Sequence, residues 1–563
     1  MMWKLKFSRQ TLETKICSFM LKNYYFKRVV LKLDKLYSSL ALKAGYYGST
    51  VRKQCLLTFM SFIFLILMVP LLVISVGVFK LFFTLPLIIT LPILPQLIFL
   101  LNLKSLVSKR RNGLKKEFPY FVLYIATLQS AGVPLHMSLY KVAKTDIFEN
   151  IKKEAMIFLR DVRLLGKDPL TALDSLAKNN PYKPFQDLIF GYTSIYKSGG
   201  DLVRYLHEKV RDSFKELKFQ WKMFVERSMD LGESLTTFFV ISVLIILLAS
   251  LILSAEFLTT IMLLNIVILP IALIVSFTTI ESLIPENVSK LLVPKVQIIL
   301  SILVSILTFI LTYYVAKEFT IAILFSLLIA SFISGILYVL KAKVLKEIEE
   351  GLPKLLRDIT EFRKLGFTPA QAIARLILFR KYNKSLDTIL NKIAMNIRAG
   401  LGFKDIPKTG SWLFDYTTFL LEEIEESGGG TPAMLEDLTQ CVSDVMHYRI
   451  EVRKSLRIYE ILAYIAPLIL IFSLFLTLKL VSILSLSEIA LLLTNLGVHI
   501  EHSMLSLLKI TIIETSIILS LLTSKIVDLT AKNTLRASIV LFISLVGFIT
   551  IPQIVDSIIS LAT

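Results

Sequence analysis

The chain has 563 residues, 55% of them hydrophobic and 19% charged, with a mean hydropathy of +0.69. Its 63 Lys and Arg outweigh 43 Asp and Glu, for a formal net charge of +20. That apolar content excludes a disordered chain, and the three scattered cysteines, Cys17, Cys55 and Cys441, exclude a secreted disulfide scaffold, which leaves a multispan membrane protein with basic extramembrane parts.

Residues 1–54 are a basic leader with twelve Lys or Arg and two acids. Trp3, Lys4, Lys6, Tyr24, Tyr25, Phe26, Lys27 and Arg28 mix aromatic and basic character, which suits contact with an anionic lipid leaflet. Nucleic acid is not expected as a partner, because no recognisable binding module accompanies the stretch. The first apolar run starts only near residue 55, so no signal peptide is expected.

A membrane span takes about 20 apolar residues, at about 1.5 Å per residue across about 30 Å of hydrocarbon. Residues 55–103 give a transmembrane hairpin, Cys55–Phe79 and Leu81–Leu103, turning at Lys80. Residues 104–230 read as a first cytoplasmic helical domain, and residues 231–340 as four spans: Leu235–Ala255, Phe257–Ile280, Val296–Ala316 and Phe319–Leu340. The second and fourth follow tight turns at Glu256 and at Lys317-Glu318. Residues 341–457 read as a second cytoplasmic domain, and residues 458–563 carry three more spans: Ile458–Leu478, Ser503–Ser524 and Ala537–Ile559. The fold expected is all-α, a polytopic membrane protein with about nine transmembrane helices and two duplicated cytoplasmic helical bundles.

Charge sets the orientation. Residues 104–230 carry 23 Lys or Arg against 14 acids, and residues 341–457 carry 19 against 16. With nine spans, these domains, the leader and the short loops with Lys290, Lys295, Lys525, Lys532 and Arg536 fall on one side, while Lys80, Lys317 and Lys479 fall on the other. The positive-inside rule then places the N-terminus in the cytoplasm and the C-terminus outside a multi-pass cell-membrane protein. The eighth span is the exception in carrying a Lys or Arg, Lys509, and it also carries Glu514. Such residues are functional candidates or polar glue between helices, and five positions apart they project about 140° from one another, too far to pair directly.

The two cytoplasmic segments share a plan. In the first, a helix from about Leu114 stops at Gly132, a second starts at Pro134, a third stops near Gly166, and further helices start at Pro169 and near Pro184. Ser198-Gly199-Gly200 then precedes a long amphipathic helix from Asp201, with a stripe at Val203, Leu206, Val210, Phe214, Leu217, Trp221 and Phe224. In the second, Pro353 opens a helix that stops at Gly366, Pro369 starts the next, and Gly400 and Gly402 break the chain again. Ser427-Gly428-Gly429-Gly430 precedes a long helix from Pro432, whose stripe has one polar step, Arg449. Both long helices are expected to run unbroken into the next span. Pro119 and Pro353, like Gly132 and Gly366, lie 234 residues apart, and Ser198 and Ser427 lie 229 apart. A period this long is a duplicated domain, not a solenoid. The glycines suit helix C-termini and the prolines suit first turns.

No phosphate loop, nucleophile elbow, zincin motif or kinase signature is present, so no catalytic residues, cofactor or resident metal are expected. His499-Ile-Glu-His502 packs three donors too closely for all to face one ion from a regular helix.

The repeated segments resemble the type II secretion system protein F domain family, the membrane platform proteins of type II secretion, type IV pili, tight-adherence pili and the archaellum. The first half-signature is seen in Leu128-Gln-Ser-Ala-Gly132-Val-Pro134-Leu-His-Met-Ser-Leu139 and again in Lys364-Leu-Gly366-Phe-Thr-Pro369-Ala-Gln-Ala-Ile373. The second is seen in Gly166-Lys-Asp-Pro-Leu170-Thr-Ala-Leu173, with a degenerate counterpart at Gly402-Phe-Lys-Asp405. The third is seen in Ser198-Gly199-Gly200-Asp-Leu202 and in Glu425-Glu426-Ser427-Gly428-Gly429. Tyr196 and Lys197 replace the expected acids in the first copy, so a ligand role for that acid is open only in the second. The large number of spans and the basic leader are most similar to the archaeal branch, the assembly platforms of archaeal type IV pili and the archaellum.

The resemblance implies a non-enzymatic platform that couples a secretion-type hexameric ATPase to the insertion of pilin-like filament subunits from the lipid bilayer, and a homodimer at the machine's axis. Candidate ATPase contacts are Lys109, Arg110, Arg111, Lys115, Lys116, Lys152, Lys153, Arg160 and Arg163, whose charge suits an acidic partner face. The competing reading is a multispan transporter or channel with cytoplasmic regulatory domains.

Overall fold

A computed structural model describes residues 17–18, 22–45, 55–64, 66, 94–249, 255–285, 295–403, 409–428, 430–485 and 502–562. The described residues are helical and fall into two compact units, residues 1–125 with 134–209, and residues 126–133 with 210–563. Seven helices are long and apolar enough to cross a membrane, and they match the third to ninth expected spans. The chain is an all-α polytopic membrane protein. Of the first hairpin the described residues hold a short apolar helix, Cys55–Phe64, and residues 94–103, where the helix Leu94–Ser130 starts.

The first unit contains α1 (Tyr24–Lys43), most of α2 (Leu94–Ser130), α3 (Leu135–Val142), α4 (Asn150–Arg163), α5 (Pro169–Lys178), α6 (Lys183–Ser198) and the start of α7 (Leu202–Ala249). The leader helix α1 buries Tyr37 and Ala41 against Leu103 and Phe99 of α2, while Tyr24 and Tyr25 stay exposed. The thiols of Cys17 and Cys55, distant in sequence, also meet. The expected start at Leu114 is replaced by a continuous α2 from Leu94. No proline separates the second expected span from Leu114, and Pro119, inside the helix, removes only one backbone donor. Around Phe121, Phe148, Phe158 and Phe185, all fully buried, the helices of this unit close on an aromatic core.

The second unit holds the rest of α7, then α8 (Ala255–Leu283), α9 (Lys295–Ala316), α10 (Phe319–Lys364), α11 (Pro369–Phe379), α12 (Lys384–Arg398), α13 (Trp412–Glu426), α14 (Pro432–Ser455), α15 (Ile458–Ser485), α16 (His502–Val527) and α17 (Leu535–Ala562). Pro353 does not open a helix: it lies inside the 46-residue α10, which carries the span Phe319–Leu340 onward to Lys364. Here too the apolar and amphipathic periodicities join without a cap between them. The second long helix is not unbroken as expected. It ends at Ser455, Leu456 caps it with its N–H on Val452 O and Lys454 O, and α15 restarts at Ile458. Leu456 is fully buried and the Tyr459 hydroxyl donates to Met229 O at 2.7 Å, so packing fixes the step.

Span α16 sits at the centre, touching α8, α10, α15 and α17. Leu508 and Ile512 meet Met262, Leu470, Leu474 and Ile551, while Ile513 meets Leu324 and Leu541. Its buried Thr511, Thr515, Ser516 and Thr523 donate to carbonyls of their own helix, which satisfies hydroxyls that have no water to turn to.

Helices α10 and α17 approach closely at Gly335. A Cβ there would collide with the backbone of Leu535, and the same contact holds Ser334 Oγ 2.7 Å from Thr534 Oγ1. Small residues allow such backbone approach in membranes. Gly335→Ala forces the two helices apart and is expected to destabilise the chain by about 1–3 kcal/mol, the usual range for overpacking. Thermal unfolding in detergent measures it, and an unchanged transition would mean that the two helices do not meet there.

Candidate functional site

The glycines and prolines of the repeated motif sit at helix ends in both segments. Gly132 has φ +84° and Gly366 φ +94°, a conformation that favours glycine. The Val133 N–H donates to Leu128 O at 2.9 Å and the Phe367 N–H to Phe362 O at 3.1 Å, so both α2 and α10 end in the same Schellman turn. Pro134 is then the N-cap of α3, and Pro369 opens α11 behind the Thr368 capping box. Ser198 Oγ donates to Ile195 O, and Ser427 Oγ to Ile424 O. Gly199 and Gly428 again have positive φ, the Gly200 N–H reaches Ile195 O and the Gly428 N–H reaches Glu425 O. Gly166, φ +62°, turns the chain between α4 and α5. Gly429 lies outside the described residues.

The acid of the third motif has a place in this geometry. Glu425 Oε2 accepts the Ala370 N–H at the start of α11, at 3.0 Å. In the first segment the Leu135 N–H, which follows Pro134 as Ala370 follows Pro369, is accepted by the Tyr192 hydroxyl at 3.1 Å. Glu425 therefore caps a helix, and a tyrosine does that work where the acid is missing. The degenerate second motif also has a counterpart in the fold. Nothing helical matches α5 between α12 and α13 among the described residues.

A further pair of acids was not singled out by the motif. Glu117 of α2 is fully buried and accepts the N–H groups of Glu149 (3.0 Å), Asn150 (2.9 Å) and Ile151 (2.8 Å) at the start of α4. At the 234-residue offset Glu117 corresponds to Gly351, and Gly113 to Glu347. Glu347 serves the equivalent helix: its Oε2 accepts Ser385 Oγ at 2.6 Å and its backbone O accepts Asn383 Nδ2 at 2.9 Å. The glycine at the other position leaves room for Asn150 in one segment and for Leu386 in the other. The acid and glycine have traded places by one helical turn.

Burial pushes the Glu117 carboxyl above its ordinary value of 4.5, against the pull of the donors. A raised folded-state pKa means the native chain holds this proton to higher pH than the unfolded chain, so its contribution falls as pH rises from about 4.5 through the shifted value. Glu117→Gln points an amide donor at backbone donors and is expected to cost about 1–3 kcal/mol at neutral pH. It also removes this one slope from the stability–pH curve, which chemical unfolding at several pH values would reveal.

The nine basic candidates separate. Arg110 is committed internally: its guanidinium grips Glu154 at 2.7 and 2.6 Å, and its Nη1 donates to Leu42 O and Lys43 O of the leader helix. Arg160 pairs with Asp161, which also accepts Lys167. Burial works against the Asp161 charge, but Lys167 and Arg160 outweigh it and hold the carboxyl below its usual range. Lys115 and Lys116 are half-buried, and Lys152 is half-buried on Asp146. Lys109, Arg111, Lys153 and Arg163 are exposed, Lys153 beside Glu149 and Arg163 over the Tyr140 ring. Lys509 lies 4.0 Å from Glu318, at the turn before α10, and does not meet Glu514. One Glu514 oxygen is buried with no hydrogen bond from a described residue. Arg449, the polar step in the α14 stripe, is 2.9 Å from Glu349, which also accepts Ser411. His499 lies outside the described residues.

Residues 121–253 match the family model of the type II secretion system (T2SS), protein F. The chain carries a protein F domain. The matched stretch runs from within α2 through the caps at Gly132, Gly166 and Gly199 to the apolar end of α7. The second segment, residues 341–457, lies outside the match. An uncharacterized protein of Methanocaldococcus jannaschii is 22% identical over 137 residues, which is 24% of this chain and 22% of that protein. The match thus spans about a fifth of that relative's length. No solved structure matches.

Proposed function

We propose that the chain is a non-enzymatic membrane platform of a type IV pilus-like or related secretion machine, coupling a cytoplasmic hexameric ATPase to the insertion of pilin-like subunits. The observation that carries this reading is the protein F match itself, which covers a helical bundle and the 48-residue helix α7 leading from it into apolar sequence. A helix without a breaker passes displacement along its length, so a motor pushing on the bundle would act on the membrane-embedded end. On this reading both helical segments lie in the cytoplasm, as their basic balance favours. The surface offered to an acidic ATPase face is the exposed set Lys109, Arg111, Lys153 and Arg163; Arg110 and Arg160 serve internal pairs instead.

Affinity purification of the tagged full chain from native membranes, with mass-spectrometric identification of partners, tests the reading. The expected result is a secretion-type ATPase and pilin-like proteins. Triple reversal of Lys109, Arg111 and Lys153 to Glu is expected to lower ATPase recovery several-fold without loss of the folded chain. A deletion strain with normal surface filaments and secretion, or one defective only in solute uptake, would overturn the platform in favour of a transporter.

A further inference from the structure

A cavity of about 530 Å³ opens in the second unit where α7, α10, α14, α15, α16 and α17 meet. Tyr338, on its wall, lies nineteen residues after Phe319, the first residue of α10. That is about 29 Å of helix, close to the thickness of the hydrocarbon layer. Three other spans agree on the level. Asp528 follows the last residue of α16, Arg536 is the second residue of α17 and Glu460 the third of α15, and all three line the cavity. It therefore sits at the end of the membrane-spanning bundle, where headgroups begin. Ala342, Leu345, Val527 and Leu529 give it an apolar side.

Its charges do not balance. Six cations and four acids line it. Every acid already has a cation: Glu349 has Arg449 at 2.9 Å, Glu350 has Lys346 at 3.6 Å, and Asp528 and Glu460 share Arg536 at 2.9 and 2.8 Å. Arg453, Lys454 and Arg457 remain, exposed and without an ion pair to a described residue. Arg453 and Lys454 stand in the last turn of α14, where the helix dipole favours cations, but Arg457 lies beyond the helix and three such groups exceed what a helix end requires.

We propose that this cavity binds a phosphate group, supplied by the headgroup of an anionic phospholipid whose chains lie along the apolar side. Three cations beside satisfied acids offer the forked donors and the net positive charge that phosphate takes. The depth of the site, level with the span ends, selects a lipid over a soluble phosphate. The inference rests on the second unit alone and holds whether or not the chain is a secretion platform.

The test uses the purified full chain in neutral detergent, measuring retention of labelled phosphatidylglycerol, with phosphatidylcholine and inorganic phosphate as competitors. The expected result is saturable retention of phosphatidylglycerol near one per chain, displaced poorly by either competitor. Arg453→Gln/Lys454→Gln/Arg457→Gln is expected to lower retention at least tenfold, and Ala342→Phe, which fills the cavity and leaves the charge intact, is expected to do the same. Lys144→Gln/Lys178→Gln/Lys183→Gln, an equal charge change at exposed positions of the first unit, is the control and leaves retention unchanged. Displacement by inorganic phosphate at matched concentration would overturn the lipid source. Full retention in the Ala342→Phe variant, or equal loss in the first-unit control, would overturn the site, and Ala342→Phe decides alone if the triple variant does not fold.

Discussion

Replacing Arg110 by alanine is expected to destabilise the chain by about 3–5 kcal/mol, the range for stranding one partner of a buried ion pair. Glu154 has a side chain 1% exposed, with both oxygens committed to Arg110 and one shared with the Asn180 amide. Without the guanidinium, Glu154 keeps the Asn180 amide, and a single neutral amide does not replace two charged bonds. Arg110→Ala also frees the carbonyls of Leu42 and Lys43, so the C-terminal end of the leader helix loses a tether. Two measurements check this: thermal unfolding in detergent falls, and limited proteolysis cuts the leader sooner. Arg110→Ala/Glu154→Gln should recover most of the stability, because the stranded charge is gone, yet leave the leader sensitive. Recovery of both properties would show that Arg110 holds Glu154 alone.

Arg536→Ala is expected to cost a similar amount, about 3–5 kcal/mol, because it strands two acids at once. Asp528 and Glu460 have side chains 15% and 25% exposed, and both lean on the same guanidinium. The Glu460 carboxylate also accepts the Tyr464 hydroxyl, and Asp528 accepts Asn533, so each keeps one neutral partner. Arg536→Lys is expected to restore less than half of the loss, since an ammonium cannot present a planar fork to two carboxylates. Unfolding in detergent with and without Asp528→Asn separates the contributions. If the Arg536 and Asp528 changes add independently, the pair is not coupled in the folded protein.

Much of the architecture was readable from amino-acid order because membrane crossing is a strong constraint. Seven of the nine expected spans coincide with long apolar helices, and the other two fall on residues largely outside those described. The glycine and proline caps were readable for a local reason: a positive φ or a missing N–H is decided within a few residues. Pro353 misled because a proline in mid-helix looks like a proline at a start, and only packing on both sides distinguishes them. The break at Leu456 was invisible because the apolar stripe continues across it, while the contact of Tyr459 with Met229 involves residues 230 positions apart. The basic candidates were overcounted for the same reason. Composition shows that Arg110 is positive, and only the fold shows that Glu154 has already claimed it. The cavity below the spans was missed entirely, since its walls come from six helices scattered over more than 300 residues.

Glu117 with Gly113 in one segment and Glu347 with Gly351 in the other are two arrangements that single substitutions do not connect. An acid introduced at position 113 while Glu117 is present runs into Asn150, and loss of Glu117 before a replacement exists uncaps α4. Each single step is uphill, so the path between the two arrangements passes through a valley that only a paired change or a stabilising background crosses. Chimeras that graft one of these helices into the other setting inherit that epistasis, and transplanting both positions together is the route by which such a graft would fold.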